Sequence, residues 1–252
     1  MSSKPAALIT GATSGIGAEF ARQLAAQGHD LVLVARTASR LEEVAVRLRT
    51  VYGVCVECIA ADLGSAEALA GVERTVATSA PGILVNNAGF GLRKPFDENP
   101  VALEQQHLDV LVTAPMRLSH AALGPMLARG SGVIITVSSV AGFTPRGSYG
   151  AAKAWALSFS RWANIQYRPR GVTVMALAPG FVRTEFHERM KVGTGNIPRF
   201  LWLTPERVVR VALRDAARGR AVSIPTKRYQ LIVAVSRVLP ARVVAAGALR
   251  GR

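Results

Sequence analysis

Side chains able to move a proton lie close together between residues 138 and 153. Tyr149 and Lys153 stand four residues apart, so on a helix they share one face, and Ser138 and Ser139 precede them. A phenol has an ordinary pKa of about 10 and needs a neighbouring cation to stabilise its phenolate at neutral pH. Lys153 is placed to lower that pKa. The alternative is that Tyr149 packs in the core and Lys153 is a solvated charge.

A glycine-rich segment from Thr10 to Gly17 leads from a strand candidate directly into a helix candidate. Glycine lets the backbone turn tightly and approach a ligand, while free amides at a helix N-terminus favour an anion such as a pyrophosphate. A glycine cluster alone is a weak signal, but this strand-to-helix context predicts a dinucleotide cradle. The candidate cradle residues are Gly11, Thr13, Ser14, Gly15, Ile16 and Gly17.

Short apolar runs alternate with longer segments of helical periodicity, which is typical of a parallel sheet flanked by helices. The strand candidates are Ala6–Thr10, Asp30–Ala35, Val54–Ala60, Ile83–Asn86, Val133–Val137, Val172–Leu177 and Ala221–Ile224. The helix candidates are Ile16–Gln27, Arg40–Tyr52, Ala66–Ser79, Pro100–Ala128, Ser148–Tyr167 and Pro205–Arg218. The pattern predicts an α/β fold with a doubly wound, Rossmann-type sheet of about seven strands. The 252 residues fit a single domain.

The spacing G-x-x-x-G-x-G, together with YGAAK, resembles the short-chain dehydrogenase/reductase family. Further motifs follow in the family's order: Asn86-Asn87-Ala88-Gly89, then Ser138-Ser139, then Pro179-Gly180. The resemblance covers about residues 6 to 185. It implies a nicotinamide-dependent oxidoreductase in which Tyr149 exchanges a proton with the oxygen of a carbonyl or alcohol as hydride moves.

The resemblance also implies roles for single residues. Ser139, rather than Ser138, is expected to bind the substrate oxygen, and Lys153 to hold the nicotinamide ribose. Asp62 and Leu63, thought to end the third strand, are expected to contact adenine. Tyr149 is expected to contact the cofactor as well as the substrate. The remaining expected cofactor contacts are Asn87, Ala88, Gly89, Pro179, Gly180, Val182 and Thr184. The resemblance also implies a homo-oligomer, a dimer or a tetramer.

Arg36 follows the second strand candidate, and no acid occurs between Leu31 and Leu41. An acid at this point would bind the ribose 2′-hydroxyl of NAD, whereas a basic residue accommodates a 2′-phosphate. The sequence therefore predicts NADP(H), with Arg40 also nearby. The alternative is that Arg36 is a surface cation.

The chain departs from the family pattern at two points. Leu111 stands where the family usually has an asparagine, a fourth catalytic residue at a helix kink that holds a water linking the lysine to solvent. Leucine offers no amide, so catalysis could be slower, relayed differently or absent. Tyr149 comes ten positions after Ser139, a shorter spacing than is usual in the family. Pro145 and Gly147 can supply a tight turn there, so we expect the site to survive.

Most of the excess positive charge lies near the C-terminal end of the sequence. The net charge is +15, and residues 199–252 contain twelve basic residues against two acids. No run is long and apolar enough to span a membrane, so a cytoplasmic protein is predicted. Residues 227–252 form a basic, apolar tail that could contact a membrane surface, although a packed helix or dimer contact is favoured there; nucleic-acid binding is not expected.

Residues 181–203 interrupt the strand–helix rhythm and are predicted to be a substrate lid. Its apolar residues indicate an apolar substrate: Phe181, Phe186, Phe200, Leu201 and Trp202. The four histidines share no metal-ligand spacing, so no metal site is predicted, and all four are interpreted as structural or surface residues. The rival hypothesis is a nucleotide-binding regulatory protein without turnover, whose basic tail binds an acidic partner or a membrane.

Overall fold

The computed structural model describes residues 5–92, 94–185 and 198–249, with side chains described up to Ala245. Seven strands form one parallel sheet: β1 Ala7–Thr10, β2 Leu31–Ala35, β3 Val56–Ala60, β4 Ile83–Asn86, β5 Gly132–Val137, β6 Val172–Leu177 and β7 Val222–Ser223. Their spatial order is β3-β2-β1-β4-β5-β6-β7. The predicted fold class is confirmed, and the predicted strands differ from these only at their ends.

The principal helices follow the predicted alternation. They are α1 Gly15–Ala26, α2 Ala38–Tyr52, α3 Ala66–Ser79, α4 Val101–Leu108, α5 Ala114–Arg129, α6 Gly147–Tyr167, α7 Pro205–Ala217, α8 Lys227–Val238 and α9 Ala241–Leu249. The segment predicted as one helix from Pro100 to Ala128 is divided by a π-helical turn at Asp109–Thr113. The basic tail, where the sequence favours a packed helix or a dimer contact, contains α8 and α9. Among the described residues, no helix has the length and apolarity needed to cross a bilayer.

The core lies on both faces of the sheet because successive side chains of each strand point in opposite directions. Ile9 belongs to the cluster under α1, α2 and α7, whereas Leu8 belongs to the cluster under α3 and α5. Both side chains are fully buried. The rigid sheet therefore fixes the loops at its carboxyl edge, where the candidate chemistry lies.

The strand order reverses direction at β1, which has β2 on one side and β4 on the other. The loops that leave β1 and β4 consequently run to opposite faces of the sheet and open a crevice between them. Ligands of open α/β sheets bind in such a crevice, outside the carboxyl ends of the strands. The glycine-rich segment after β1 and Asn87 after β4 meet there.

Candidate active site

The glycine-rich loop adopts a conformation that requires glycine. Gly11 and Gly15 have φ angles of +66° and +56°, in the left-handed region that side chains disfavour. A Cβ on Gly17 would lie 2.2 Å from the carbonyl oxygen of Gly11, so no side chain fits there. The loop ends at Ser14, and α1 begins at Gly15 with no acid in its first turn. The helix amides and their partial positive charge thus face the crevice, an arrangement that fits a pyrophosphate.

Asn87 and Thr10 hold this loop against the end of β4. The Asn87 amide Nδ2 donates hydrogen bonds to the carbonyl oxygens of Thr10, at 2.9 Å, and Gly11, at 3.1 Å. The Thr10 hydroxyl accepts hydrogen bonds from the backbone amides of Asn87 and Ala88, each at 3.0 Å. Asn87 therefore shapes the cradle, because its side chain holds the backbone of the glycine-rich loop in place.

The other predicted cofactor contacts surround the same crevice. Arg36 is exposed one residue beyond β2, and a Cβ on Gly15 would touch the Thr184 methyl group at 2.9 Å. Val182 is buried and forms a bridge with Leu203. β3 ends at Ala60, so Asp62 and Leu63 lie in the following turn, where the Asp62 carboxylate accepts a hydrogen bond from Gly64. The expectation that they end the strand was wrong.

Gly180 makes a contact that the sequence did not indicate. A Cβ at this position would overlap the Tyr229 ring, 1.8 Å from its Cζ atom. The Tyr229 hydroxyl accepts a hydrogen bond from the Phe181 amide, at 3.0 Å, and donates one to the Leu201 carbonyl, at 2.8 Å. Tyr229, from α8, thus fastens both described ends of the predicted lid. Phe186 and His187 lie outside the described residues.

The two neighbouring serines have different partners. The Ser138 hydroxyl is buried and donates a 2.7 Å hydrogen bond to the Lys153 carbonyl. The Ser139 side chain accepts a hydrogen bond from the Ala141 amide and is also hydrogen-bonded to the Tyr149 side chain. Although the connection between them is short, it brings serine and tyrosine together. Gly147, with a φ of +58°, turns the chain into α6 at this point.

Lys153 is buried beside Tyr149 on α6. Its Nζ atom lies 5.7 Å from the centroid of the Tyr149 ring and donates a 2.7 Å hydrogen bond to the carbonyl of Val137, the last residue of β5. Burial lowers the pKa of Lys153 to about 8. The ammonium group is therefore easier to neutralise than that of a surface lysine.

The pKa of Tyr149 does not follow the sequence expectation. Part of the side chain is accessible, yet the surrounding protein desolvates the phenol and raises its pKa to about 12. The hydrogen bond with Ser139 and the charge of Arg146 oppose this effect but are smaller. In the absence of a ligand, Tyr149 is thus a protonated hydroxyl at neutral pH, ready to donate a proton.

A histidine that we interpreted as structural or surface lies against this site. His107 is fully buried, and its ring centroid is 6.1 Å from that of Tyr149 and 5.3 Å from that of Phe90. Leu111, one turn further along the chain, is also buried, close to Gly89. Leu111 lies within the π-helical turn between α4 and α5.

The sheet order and the crevice define the class as a Rossmann-type dinucleotide-binding fold. A family model described as short chain dehydrogenase matches residues 5–193. The chain belongs to this family of oxidoreductases, which use NAD(P). The predicted family is confirmed.

Three known proteins show how closely the chain resembles the family. It is 31% identical over 214 residues to very-long-chain 3-oxoacyl-CoA reductase-B of Danio rerio, covering 82% of this chain and 67% of that protein. A short-chain dehydrogenase from Sphingobium yanoikuyae, solved in complex with NADPH, is 36% identical, with a TM-score of 0.84 over 98% of this chain and 93% of that one. The bulky-bulky ketone specific alcohol dehydrogenase from Comamonas testosteroni is 34% identical, with a TM-score of 0.82 over 94% and 93%.

Proposed function

We propose that the protein is an NADP(H)-dependent reductase or dehydrogenase of ketones or secondary alcohols. The observation that carries the proposal is the hydrogen-bonded Ser139–Tyr149 pair, beside buried Lys153 and at the carboxyl edge of the sheet that bears the glycine cradle. A phenol at this edge can protonate the substrate oxygen when a hydride donor binds in the adjacent crevice. The bound nicotinamide would supply that hydride.

The chain's own residues divide the remaining work in carbonyl reduction. The cradle from Gly11 to Gly17 holds the pyrophosphate, while Val182 and Thr184 orient the carboxamide end of the cofactor. Ser139 donates a hydrogen bond to the substrate oxygen and fixes its position. Tyr149 gives its proton to the same oxygen as negative charge develops there. Lys153 holds the ribose and stabilises the phenolate that remains.

The experiment that tests the proposal is NADPH oxidation with a panel of aldehydes and ketones. Steady oxidation with at least one bulky ketone supports the reductase. Tight NADPH binding without turnover on any member of the panel would instead support the rival, a regulatory nucleotide-binding protein. The observation that supports this rival is Leu111, which stands where the family usually has an asparagine and therefore offers the site no side-chain amide.

Arg36 is proposed to select the phosphorylated cofactor. It stands at the end of β2, next to β1 and its cradle, where the adenosine ribose of a dinucleotide would lie. We expect Arg36→Ala to weaken NADPH binding by about ten- to hundredfold, because a charge-assisted hydrogen bond contributes about 1.5–3 kcal/mol. NADH affinity should change little.

Fluorescence titration of the two cofactors measures this effect. Arg47→Ala is the control, since Arg47 is another exposed cation, on α2 and away from the crevice. If wild-type protein binds NADH as tightly as NADPH, Arg36 has no selective role.

The substrate is proposed to be a carbonyl compound with bulky apolar groups. Phe181 and Trp202 stand at the two ends of the predicted lid, with ring centroids 5.8 Å apart. Large apolar side chains at the mouth of a site favour apolar ligands. The names of two relatives, a very-long-chain 3-oxoacyl-CoA reductase and a bulky-ketone alcohol dehydrogenase, are consistent with this choice.

We propose a cytoplasmic protein that touches an anionic membrane surface through α8. Only Tyr229 and Val233 of this helix are buried, whereas Leu231, Val235 and Val238, spaced along the outer face, are exposed. Residues 227–252 contain six basic residues and no acid. A second copy of the same face would therefore be repelled, while acidic headgroups would be attracted. The homo-oligomer expected from the family would use other surfaces.

Sedimentation with lipid vesicles tests the membrane proposal. We expect binding to vesicles that contain phosphatidylglycerol, none to pure phosphatidylcholine, and release by salt. The double change Leu231→Asp and Val235→Asp should reduce binding more than about tenfold, since it places charge on the inserted face. Val51→Asp, on a similarly exposed residue of α2, should have no effect. Equal binding by all three proteins would refute the proposal.

A further inference from the structure

Helix α4 buries the residues that a surface helix normally exposes. Its two buried residues are Glu104 and His107, which are 5% and 0% exposed. Its apolar Val101 and Leu108 are 83% and 39% exposed. Burying an acid and an imidazole costs free energy unless they gain partners, so packing alone does not account for this orientation. The orientation places His107 against Tyr149, with Glu104 three residues earlier on the same face of the helix.

Both buried groups have polar atoms without a partner in the described part of the chain. Neither ring nitrogen of His107 makes a well-formed hydrogen bond there, although the backbone of Phe90 is close enough to favour the protonated ring. One carboxylate oxygen of Glu104 is likewise unpaired, while the other accepts a 2.8 Å hydrogen bond from the amide of Asn99. Buried polar atoms of this kind normally bind ordered water.

Titratable groups and one backbone group face His107, beside the Phe90 ring. Tyr149 and Lys153 approach it from α6, Glu104 from its own helix, and the Phe90 backbone from the loop after β4. Burial, assisted by the charge of Lys153, lowers the pKa of His107, and Glu104 and Phe90 oppose that effect. The ring is therefore neutral at neutral pH, with one nitrogen able to donate a proton and the other able to accept one.

We propose that His107 and Glu104 form the proton route between Tyr149 and solvent, in place of the route that the asparagine absent at Leu111 would support. This inference rests on the proposed reductase function. Glu104 lies at the outer end of the route, because its partner Asn99 also donates to the carbonyl of exposed Lys94. His107 lies at the inner end, against Tyr149.

The proton balance of the route is simple. In reduction, the Tyr149 O–H bond breaks, its proton joins the substrate oxygen, and the electron pair stays on the phenolate. A ring nitrogen of His107 returns a proton to the phenolate through water. The other ring nitrogen then takes a proton that has entered from solvent by way of the Glu104 carboxyl group. One proton from solvent is thus consumed for each hydride transferred. His107 acts through Tyr149 and is a positioning and relay residue.

His107→Phe tests the route, since phenylalanine fills a similar space but carries no proton. We expect kcat for reduction to fall about ten- to hundredfold, with KM and NADPH affinity within about threefold of wild type. The solvent deuterium isotope effect on kcat should increase, and its dependence on pH should change. Glu104→Gln, which keeps the hydrogen bond with Asn99, should change kcat in the same direction. His120→Phe is the control, because His120 is exposed on α5.

A measurement without cofactor or substrate keeps the relay separate from the proposed activity. The ¹⁵N NMR shifts of the His107 ring should move in Tyr149→Phe and in Glu104→Gln, but not in Tyr167→Phe. Unchanged shifts would overturn the route even if the enzyme is active. An unchanged kcat and pH profile in His107→Phe would also overturn it, as would a joint loss of NADPH affinity and thermal stability. A wild-type protein that reduces no carbonyl would instead remove the proposed function.

Discussion

Tyr149→Phe should lower kcat for carbonyl reduction by about 10²- to 10⁴-fold, the range that a positioned general acid contributes. The change removes only the hydroxyl, and with it the hydrogen bond to Ser139. Because the pKa of this hydroxyl is raised to about 12, the wild-type phenol is fully protonated at neutral pH and available to the substrate. NADPH affinity should stay within about threefold of wild type, since the cradle is not altered. Stopped-flow kinetics and a cofactor titration measure the two quantities.

Tyr167→Phe is the matched control for this prediction. Tyr167 is the last residue of the same helix, α6, and lies away from the crevice, so the loss of its hydroxyl should leave kcat unchanged. A Tyr149→Phe protein that retains most of its rate would show that the proton comes from another group. Loss of NADPH binding in that protein would show that the tyrosine supports the cofactor more than the chemistry.

Gly17→Ala should abolish measurable NADPH binding and destabilise the fold. The new Cβ would stand 2.2 Å from the Gly11 oxygen and 2.4 Å from Asn87 Nδ2, so both the loop and its brace must move. Overpacking of this kind costs about 1–3 kcal/mol of the free energy of unfolding. We expect at least a hundredfold loss of affinity, because the displaced amides no longer converge on the pyrophosphate. Fluorescence titration and thermal unfolding report the two effects.

Gly124→Ala provides the comparison. Gly124 lies within α5, and a Cβ there would meet open space, so alanine should be neutral or slightly stabilising because of its higher helix propensity. Normal NADPH binding by Gly17→Ala would show that phosphate binding does not depend on the close packing of the cradle.

The sheet could be predicted well because its strands are short apolar runs bounded by turn residues. Strands such as Ile83–Asn86 and Val172–Leu177 end where the sequence indicates, since both faces of a parallel sheet are buried and polar residues mark the exits. The cradle was equally accessible, because its glycines have a backbone requirement. The roles assigned to site residues from family resemblance stay predictions.

The buried histidine could not be found from periodicity. Periodicity rules assume that apolar residues face the core, and α4 inverts that assumption by exposing Val101 and burying Glu104 and His107. The one available signal was the spacing of His107, four residues before Leu111, which suggests a common face for the two side chains. The sequence predicts a lowered pKa for Tyr149, whereas the pKa is raised, and this difference has another cause. Desolvation depends on the whole environment, whereas sequence spacing revealed only the neighbouring Lys153.

The hydrogen bonds of Tyr229 to both described ends of the predicted lid bear on how substrate preference could change over evolution. The Phe181 and Leu201 backbones are joined through one hydroxyl, and the Leu203 amide adds a 2.8 Å hydrogen bond to the Phe181 carbonyl. The intervening segment therefore begins and ends at fixed points, so its length and composition can vary without disturbing the sheet or the cradle. If the predicted lid selects the substrate, a new insert between the same two anchors would change specificity and leave the proposed catalytic centre unaltered.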